Sequence, residues 1–155
     1  MCKYNCETYI NFEFKKCKPL HGSGIEVFLD RLHPTNLDKK LIPSYHFKIR
    51  VKNKIVGHVN FRAGNSRQIL NYDGHIGYEV LPLYRGGRIA QKAAKLILPF
   101  VKEHGFSSIV LTCSPGNVAS IKIIKGLGGQ FIATRNFPEI ASAGDTTKNI
   151  YQLVL

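Results

Sequence analysis

The sequence predicts a single-domain α/β protein of the α+β kind, with a mixed, mostly antiparallel central sheet and helices on both faces. Three observations predict it. "YHFKIRVK" and "IVGHVNFRAG", joined at Asn53-Lys54, read as a hairpin whose first arm puts Tyr45, Phe47, Ile49 and Val51 on one face. "HIGYEVL", a long apolar-striped helix and "SSIVLTC" form a strand–helix–strand unit, which implies a parallel pair with a right-handed crossover. A length of 155 residues supports one real core and is short for two.

The elements follow in order. Residues 1–24 form an N-terminal segment of open structure that ends in the loop "PLHGSG", and residues 25–155 form the domain. "IEVFLDRL" is a strand. "HPTNLDKKLIP" is a turn with one short helix, closed by Pro43. After the hairpin, "NSRQILNYDG" is a polar connection and "HIGYEVL" a strand stopped by Pro82. A helix runs from about Gly87 to His104, with Ala90, Ala93, Ala94, Ile97 and Val101 as its buried stripe. Pro99 should bend it, and Gly105 stops it. "SSIVLTC" is a short buried strand. "SPGN" turns into the helix "VASIKIIKGLG", and "GQFIATRNF" and "KNIYQLVL" are the last strands.

The totals exclude several classes. No stretch approaches the ~20 apolar residues of a membrane span. The N-terminus has no apolar run behind a basic start, so the expected location is the cytoplasm. The formal charge of +12 favours polyanions in general. The cations are scattered, with no recognition-helix signature, so nucleic acid is not the expected partner. Cys2, Cys6, Cys17 and His21 are spaced C-x3-C-x10-C-x3-H, which could hold zinc. The segment has few turn residues of the kind zinc ribbons use, so free thiols and no metal are expected. The oligomeric state, a homodimer included, stays open.

"YRGGRIA", residues 84–90, sits at a strand-to-helix corner. A helix N-terminus exposes unpaired N–H groups and the positive end of the dipole. Glycines let an anion approach that backbone closely, which makes a nest suited to phosphate. Arg85 and Arg88 add charge for a diphosphate. The alternative is a tight turn with two solvated arginines.

Residues 25–155 resemble the GCN5-related N-acetyltransferase (GNAT) superfamily. That family carries a turn reading Arg/Gln-x-x-Gly-x-Gly/Ala between a strand and a long helix; here it is Arg85, Gly86, Gly87, Arg88, Ile89 and Ala90. "GNVASIKIIKGLGGQF" resembles its next landmark, with Asn117 opening a helix that ends in Leu127-Gly128, and "IPSYHFKIRVKNKIVGHVNFR" resembles its hairpin. The resemblance implies an enzyme that uses acetyl-CoA as co-substrate and transfers the acetyl group directly to a primary amine. It implies that the turn binds the pyrophosphate, with Gln91 following at the helix start. Tyr78, Glu79 and Val80 would pair with the pantetheine arm on a strand splayed from its neighbour, and Asn117 would face the cofactor from the other side. The acceptor, on a small molecule, peptide or protein, is not specified. The net charge favours an acidic or phosphorylated acceptor, or a ribosomal neighbour.

The match departs in three places. Arg88 replaces the turn's central glycine, and it can offer its N–H only if its φ is ordinary. The tyrosine that many members use as general acid falls at Ile124, and a frequent base position falls at Thr112. The nearest ionisable groups are Glu79 and His75, on one strand face with Gly77, and Tyr78 on the other, with Tyr84 as a further hydroxyl; these are the catalytic candidates. Glu79 could equally be paired with a nearby cation, and His75 could be a solvated strand start. Cys113 reads as a buried, inert thiol. A non-catalytic module that binds CoA or a polyanion on the same scaffold is the alternative.

Overall fold

Alternation along the hairpin arms sets the core. The computed structural model describes residues 12–36, 41–139 and 145–155. Strands β1 (Leu20–Gly22), β2 (Ile25–His33), β3 (Ser44–Val51), β4 (Lys54–Arg62) and β5 (Ile76–Val80) form one antiparallel sheet in chain order. Tyr45 pairs with Phe61 and Phe47 with Val59, and all four side chains are fully buried. Helix α1 (Ile89–Glu103) covers this face with Ala90, Ala93, Ala94, Ile97 and Val101, the predicted stripe. Each large apolar side chain buried here contributes about 1.5–3 kcal/mol. Among the described residues, no helix is long and apolar enough to cross a membrane.

Strands β6 (Ser108–Cys113), β7 (Gln130–Asn136) and β8 (Thr147–Val154) form a second antiparallel sheet, ordered β6-β8-β7. Helix α2 (Val118–Leu127) joins β6 to β7. The expected parallel pair of β5 and β6 exists only at its start, where the His75 N–H donates to the Val110 carbonyl at 2.8 Å. Beyond it the strands join different sheets, and Tyr78, Ser120 and Ile124 line the gap between them.

The expected loop "PLHGSG" is instead a hairpin. Leu20 pairs with Val27, and Ser23 (φ 52°) and Gly24 (φ 78°) make the turn. Consecutive left-handed residues twist a two-residue turn to suit its strands. Phe12, Phe14 and Leu20 pack on the core, so residues 12–24 are part of the same body. Residues 37–40 of the expected short helix lie outside the described residues, and its flanks, Asn36 and Leu41, exchange two backbone hydrogen bonds. The polar connection carries a π-helical turn, Ile69–Asp73, anchored by buried Ile69. Helix α1 starts at Ile89 and runs through Pro99 to Glu103.

Candidate active site

A cleft of about 420 Å³ opens where β5 leaves β6. Its walls are the end of β5, the turn before α1 and the first turn of α2. Every residue expected at the cofactor lines it except Gly87 and Gln91: Tyr78, Glu79, Val80, Arg85, Gly86, Arg88, Ile89, Ala90 and Asn117 are all present. Gln91 instead packs its amide where a Cβ on Gly126 would stand, holding α1 close to α2.

The corner is built to leave donors free. Gly86 has φ 95°, a conformation glycine adopts at no steric cost. Arg88 has φ 56° and ψ 27°, so it holds the left-handed conformation expected of the glycine it replaces, and the condition of an ordinary φ is not met. Its cost is about 1 kcal/mol. Among the described residues, the backbone N–H groups from Gly86 to Gln91 have no acceptor, and the helix has no side-chain cap. Arg85 frames the turn by donating from Nε to the Val80 carbonyl at 2.9 Å.

The opposite wall was not legible in the sequence. Ser120 Oγ lies 2.8 Å from Tyr78 Oη across the gap. Asn117 caps α2, its Oδ1 accepting the Ser120 N–H at 3.1 Å. Ala119, Ser120 and Ile123 complete this wall; the cap signal "N-x-x-S" could have pointed to Ser120. Burial pushes the Tyr78 hydroxyl up to about 12, against the opposing hydrogen bond from Ser120. Tyr78 is therefore a neutral donor at any physiological pH. Burial likewise raises the Cys113 thiol, which is 5% exposed, as expected of an inert group. Ile124, at the family's tyrosine position, is buried at 1% and offers no hydroxyl. Thr112 Oγ1 donates to the Tyr72 carbonyl at 2.6 Å.

Two catalytic expectations are placed differently. His75 is not a solvated strand start and does not line the cleft. It is 1% exposed, and its Nδ1 accepts the Val110 N–H at 2.8 Å, while Nε2 bonds Asn65 Oδ1 at 2.9 Å. A longer contact of 3.3 Å from Nδ1 to the Val110 carbonyl would suit the other tautomer. The shorter bond decides for Nε2–H. Both ring nitrogens are thus engaged, and His75 pins the seam. Glu79 lines the cleft, but its side chain is 66% exposed, and the nearest partner is His58 Nε2 at 3.9 Å. Cys2 and Cys6 lie outside the described residues, and among those described no group of side chains could hold a metal ion.

The acetyltransferase (GNAT) domain profile matches residues 14–130. The chain belongs to the GNAT acetyltransferase family. No curated protein sequence matches it significantly. Its fold is similar to that of the ribosomal-protein-S5-alanine acetyltransferase from Vibrio fischeri, at TM-score 0.67 and 15% identity over 89% of this chain and 97% of that one. A ribosomal L7/L12 α-N-protein acetyltransferase in complex with coenzyme A gives TM-score 0.66 and 11% identity over 89% and 98%. The microcin C7 self-immunity acetyltransferase, in complex with acetyl-CoA and AMP, gives 0.59 and 22% over 72% and 61%. In this GNAT protein, residues 34–43 separate β2 from β3.

Proposed function

We propose that the protein transfers an acetyl group from acetyl-CoA to a primary amine. The observation that supports this reading is that Gly86, Arg88, Ile89 and Ala90, whose backbone N–H groups are unpaired, line the same cleft as the Tyr78–Ser120 hydroxyl pair. The first are a cradle for a diphosphate. The second is a donor pair 2.8 Å apart, set in the gap where a thioester would lie. An attacking amine must be neutral, and the departing sulfur must be stabilised as its bond to carbon breaks. Neutral Tyr78 donates a hydrogen bond to the charge that develops there, and Ser120 orients it. This supplies at Tyr78 what Ile124 cannot. Glu79 contributes its backbone at the strand edge and a carboxylate at the rim. His75 is assigned no catalytic part.

The alternative, a binding module without activity, draws on Arg88 and Ile124. The cleft retains its hydroxyl pair, which such a module would not use. Titration calorimetry with acetyl-CoA on the wild type and Gly87→Glu tests the reading. Gly87 has an ordinary φ, and a Cβ there meets only Ile89 at 3.7 Å, so the variant folds. Its carboxylate opposes an anion at the nest. Binding to the wild type and loss in the variant are expected. A folded wild type that does not bind acetyl-CoA sinks the reading.

A further inference from the structure

The sheet of β1 to β5 has a second face, turned away from α1. Tyr45, Phe47 and Ile49 point into the core, so His46 and Lys48 between them point to this other face. His46 pairs with Arg31 on one side and Asn60 on the other, and Lys48 pairs with His58, which pairs with Glu79. A cavity of about 400 Å³ opens here, lined by Asp30, Arg31, His46, Lys48, His58 and Asn60 among others. That is the size of a small-molecule site. It neighbours the cofactor cleft across β5. Leu81 lines the cavity, and Val80, the residue before it, lines the cleft. His58, in the cavity lining, and Glu79, in the cleft lining, approach each other to 3.9 Å.

Two observations give its chemistry. The Asn60 side-chain oxygen is buried and has no hydrogen-bond partner among the described residues. A buried acceptor left unpaired is destabilising, and a donor on a ligand relieves it. The second observation is the balance of charge. Asp30 is the one carboxylate in the lining, and it stands 3.4 Å from both Arg31 and Lys48. Two cations thus share one anion, through exposed contacts that hold little energy and exchange readily. Burial, and then the charges of His33, Arg31, Arg62 and His58, push the His46 imidazole down to about 4. Each of those neighbours is a cation or becomes one on protonation. His46 therefore stays neutral at physiological pH, and its surroundings favour negative charge.

We propose that this cavity holds an anionic group of the acceptor, a carboxylate or a phosphate, received by Arg31, Lys48 and the His58 ring, with an N–H or O–H of the same molecule donating to Asn60. This rests on the acetyl-transfer reading and names the class of acceptor it takes: an amine that also carries an acid. Arg31 offers a planar fork to an oxyanion and Lys48 a point charge, a pair suited to either acid. Asp30 opposes the anion and so limits how tightly it is held. The amine end of the acceptor lies toward β5, whose Glu79 and Val80 border the cleft. An uncharged chain of the same length leaves the two cations with Asp30 alone and is the poorer substrate.

The test uses the full chain with acetyl-CoA and three matched series of graded chain length: ω-amino acids, aminoalkyl phosphates and uncharged aminoalkanols. At least one acid series is expected to exceed its alcohols about tenfold or more in kcat/KM, the scale of one hydrogen bond to a charged group. The better of the two series identifies which acid the cavity takes. Arg31→Gln combined with Lys48→Gln is expected to abolish that preference while the acetyl-CoA Kd stays unchanged. Asp30→Asn is expected to act in the opposite sense and lower the KM of the acids. Asn60→Leu leaves no unpaired oxygen, so it should melt no lower than the wild type and still raise the KM of the acids. A merely structural role for these side chains would move acids and alcohols together. Alcohols turned over as well as the acids, or a preference that survives the Arg31 and Lys48 substitutions, overturns the proposal. Acetyl-CoA binding without acetylation of any acid also overturns it and leaves the co-substrate reading standing. Absence of acetyl-CoA binding overturns both.

Discussion

Tyr78 Oη and Ser120 Oγ lie 2.8 Å apart, and they join two elements that no backbone ladder connects. Tyr78 ends its side chain in the gap between the sheets, and Ser120 reaches it from the first turn of α2. Ile124, where the family resemblance expects a tyrosine, follows Ser120 by one helical turn.

Removing the Tyr78 hydroxyl is therefore expected to slow turnover without weakening co-substrate binding. Tyr78→Phe should lower kcat by about 10²-fold, the scale of one lost donor to developing charge. The Kd for acetyl-CoA should stay within about twofold. Ser120→Ala, which only frees the phenol to rotate, should cost less. Steady-state kinetics with calorimetry on the same preparations separates the two constants. A Tyr78→Phe enzyme with wild-type kcat would remove Tyr78 from the reaction.

Much of this frame is legible in the residues. The alternation of Tyr45, Phe47 and Ile49 gives β3 its face, and the alanine stripe gives α1 its buried side. Gly86 beside two arginines marks the corner where the backbone N–H groups are left free. Other features rest on contacts that local pattern does not carry. A strand as short as Leu20–Gly22 has no period to read, so Ser23 and Gly24 look like loop. The Tyr78–Ser120 bond spans 42 residues of sequence, and serine at a helix start is too common to single out. The divergence of β5 from β6 leaves no mark in either strand, because the apolar content of both reads equally well as a paired ladder.

Arg88 carries a glycine's conformation at φ 56°. Arg88→Gly is expected to leave stability unchanged or raise it by up to about 1 kcal/mol, since relieved left-handed strain and added unfolded-state entropy oppose each other. Arg88→Val, a β-branched residue at the same φ, should be destabilising. Both variants lose the guanidinium, so a shared fall in acetyl-CoA affinity would report its charge and a fall in the valine variant alone would report the turn. Thermal melting with and without acetyl-CoA measures both. If Arg88→Val melts with the wild type, the strain is absent.

Gly57 sets how closely β4 approaches the strand that borders the cleft. A Cβ there would strike the Glu79 carbonyl oxygen and stand 3.0 Å from the Val80 Cα, and backbone cannot rotate away as a side chain can. Gly57→Ala should cost about 2 kcal/mol, which is roughly 4–8 °C in Tm at this chain length. The displaced atoms belong to Glu79 and Val80, so acetyl-CoA affinity should fall as well. An alanine variant with unaltered Tm and affinity would show that β4 and β5 can separate freely.

His75 makes the seam between the sheets sensitive to acid. Burial pushes its pKa down to about 4, with the Val110 and Gly64 backbone opposing and Arg62 adding to the fall. An unfolded histidine titrates near 6.5. The folded value is the lower one, so the unfolded chain binds the proton first as pH drops. The stabilisation is full above about 6.5 and is lost as pH falls toward 4, by roughly 3 kcal/mol over that window. His104 lies buried between Tyr45 Oη and the Phe100 carbonyl and shifts in the same direction, so it adds to the slope. Urea midpoints at pH 7, 5.5 and 4.5 give that slope. His75→Gln removes the titrating group and should flatten it, while lowering stability at pH 7 because the bonds to Val110 and Asn65 are remade imperfectly. A variant whose midpoint falls with pH as steeply as the wild type would assign the acid sensitivity to His46, which burial also pushes down to about 4, to His104 and to the carboxylates, and His75 would then hold the seam without sensing pH.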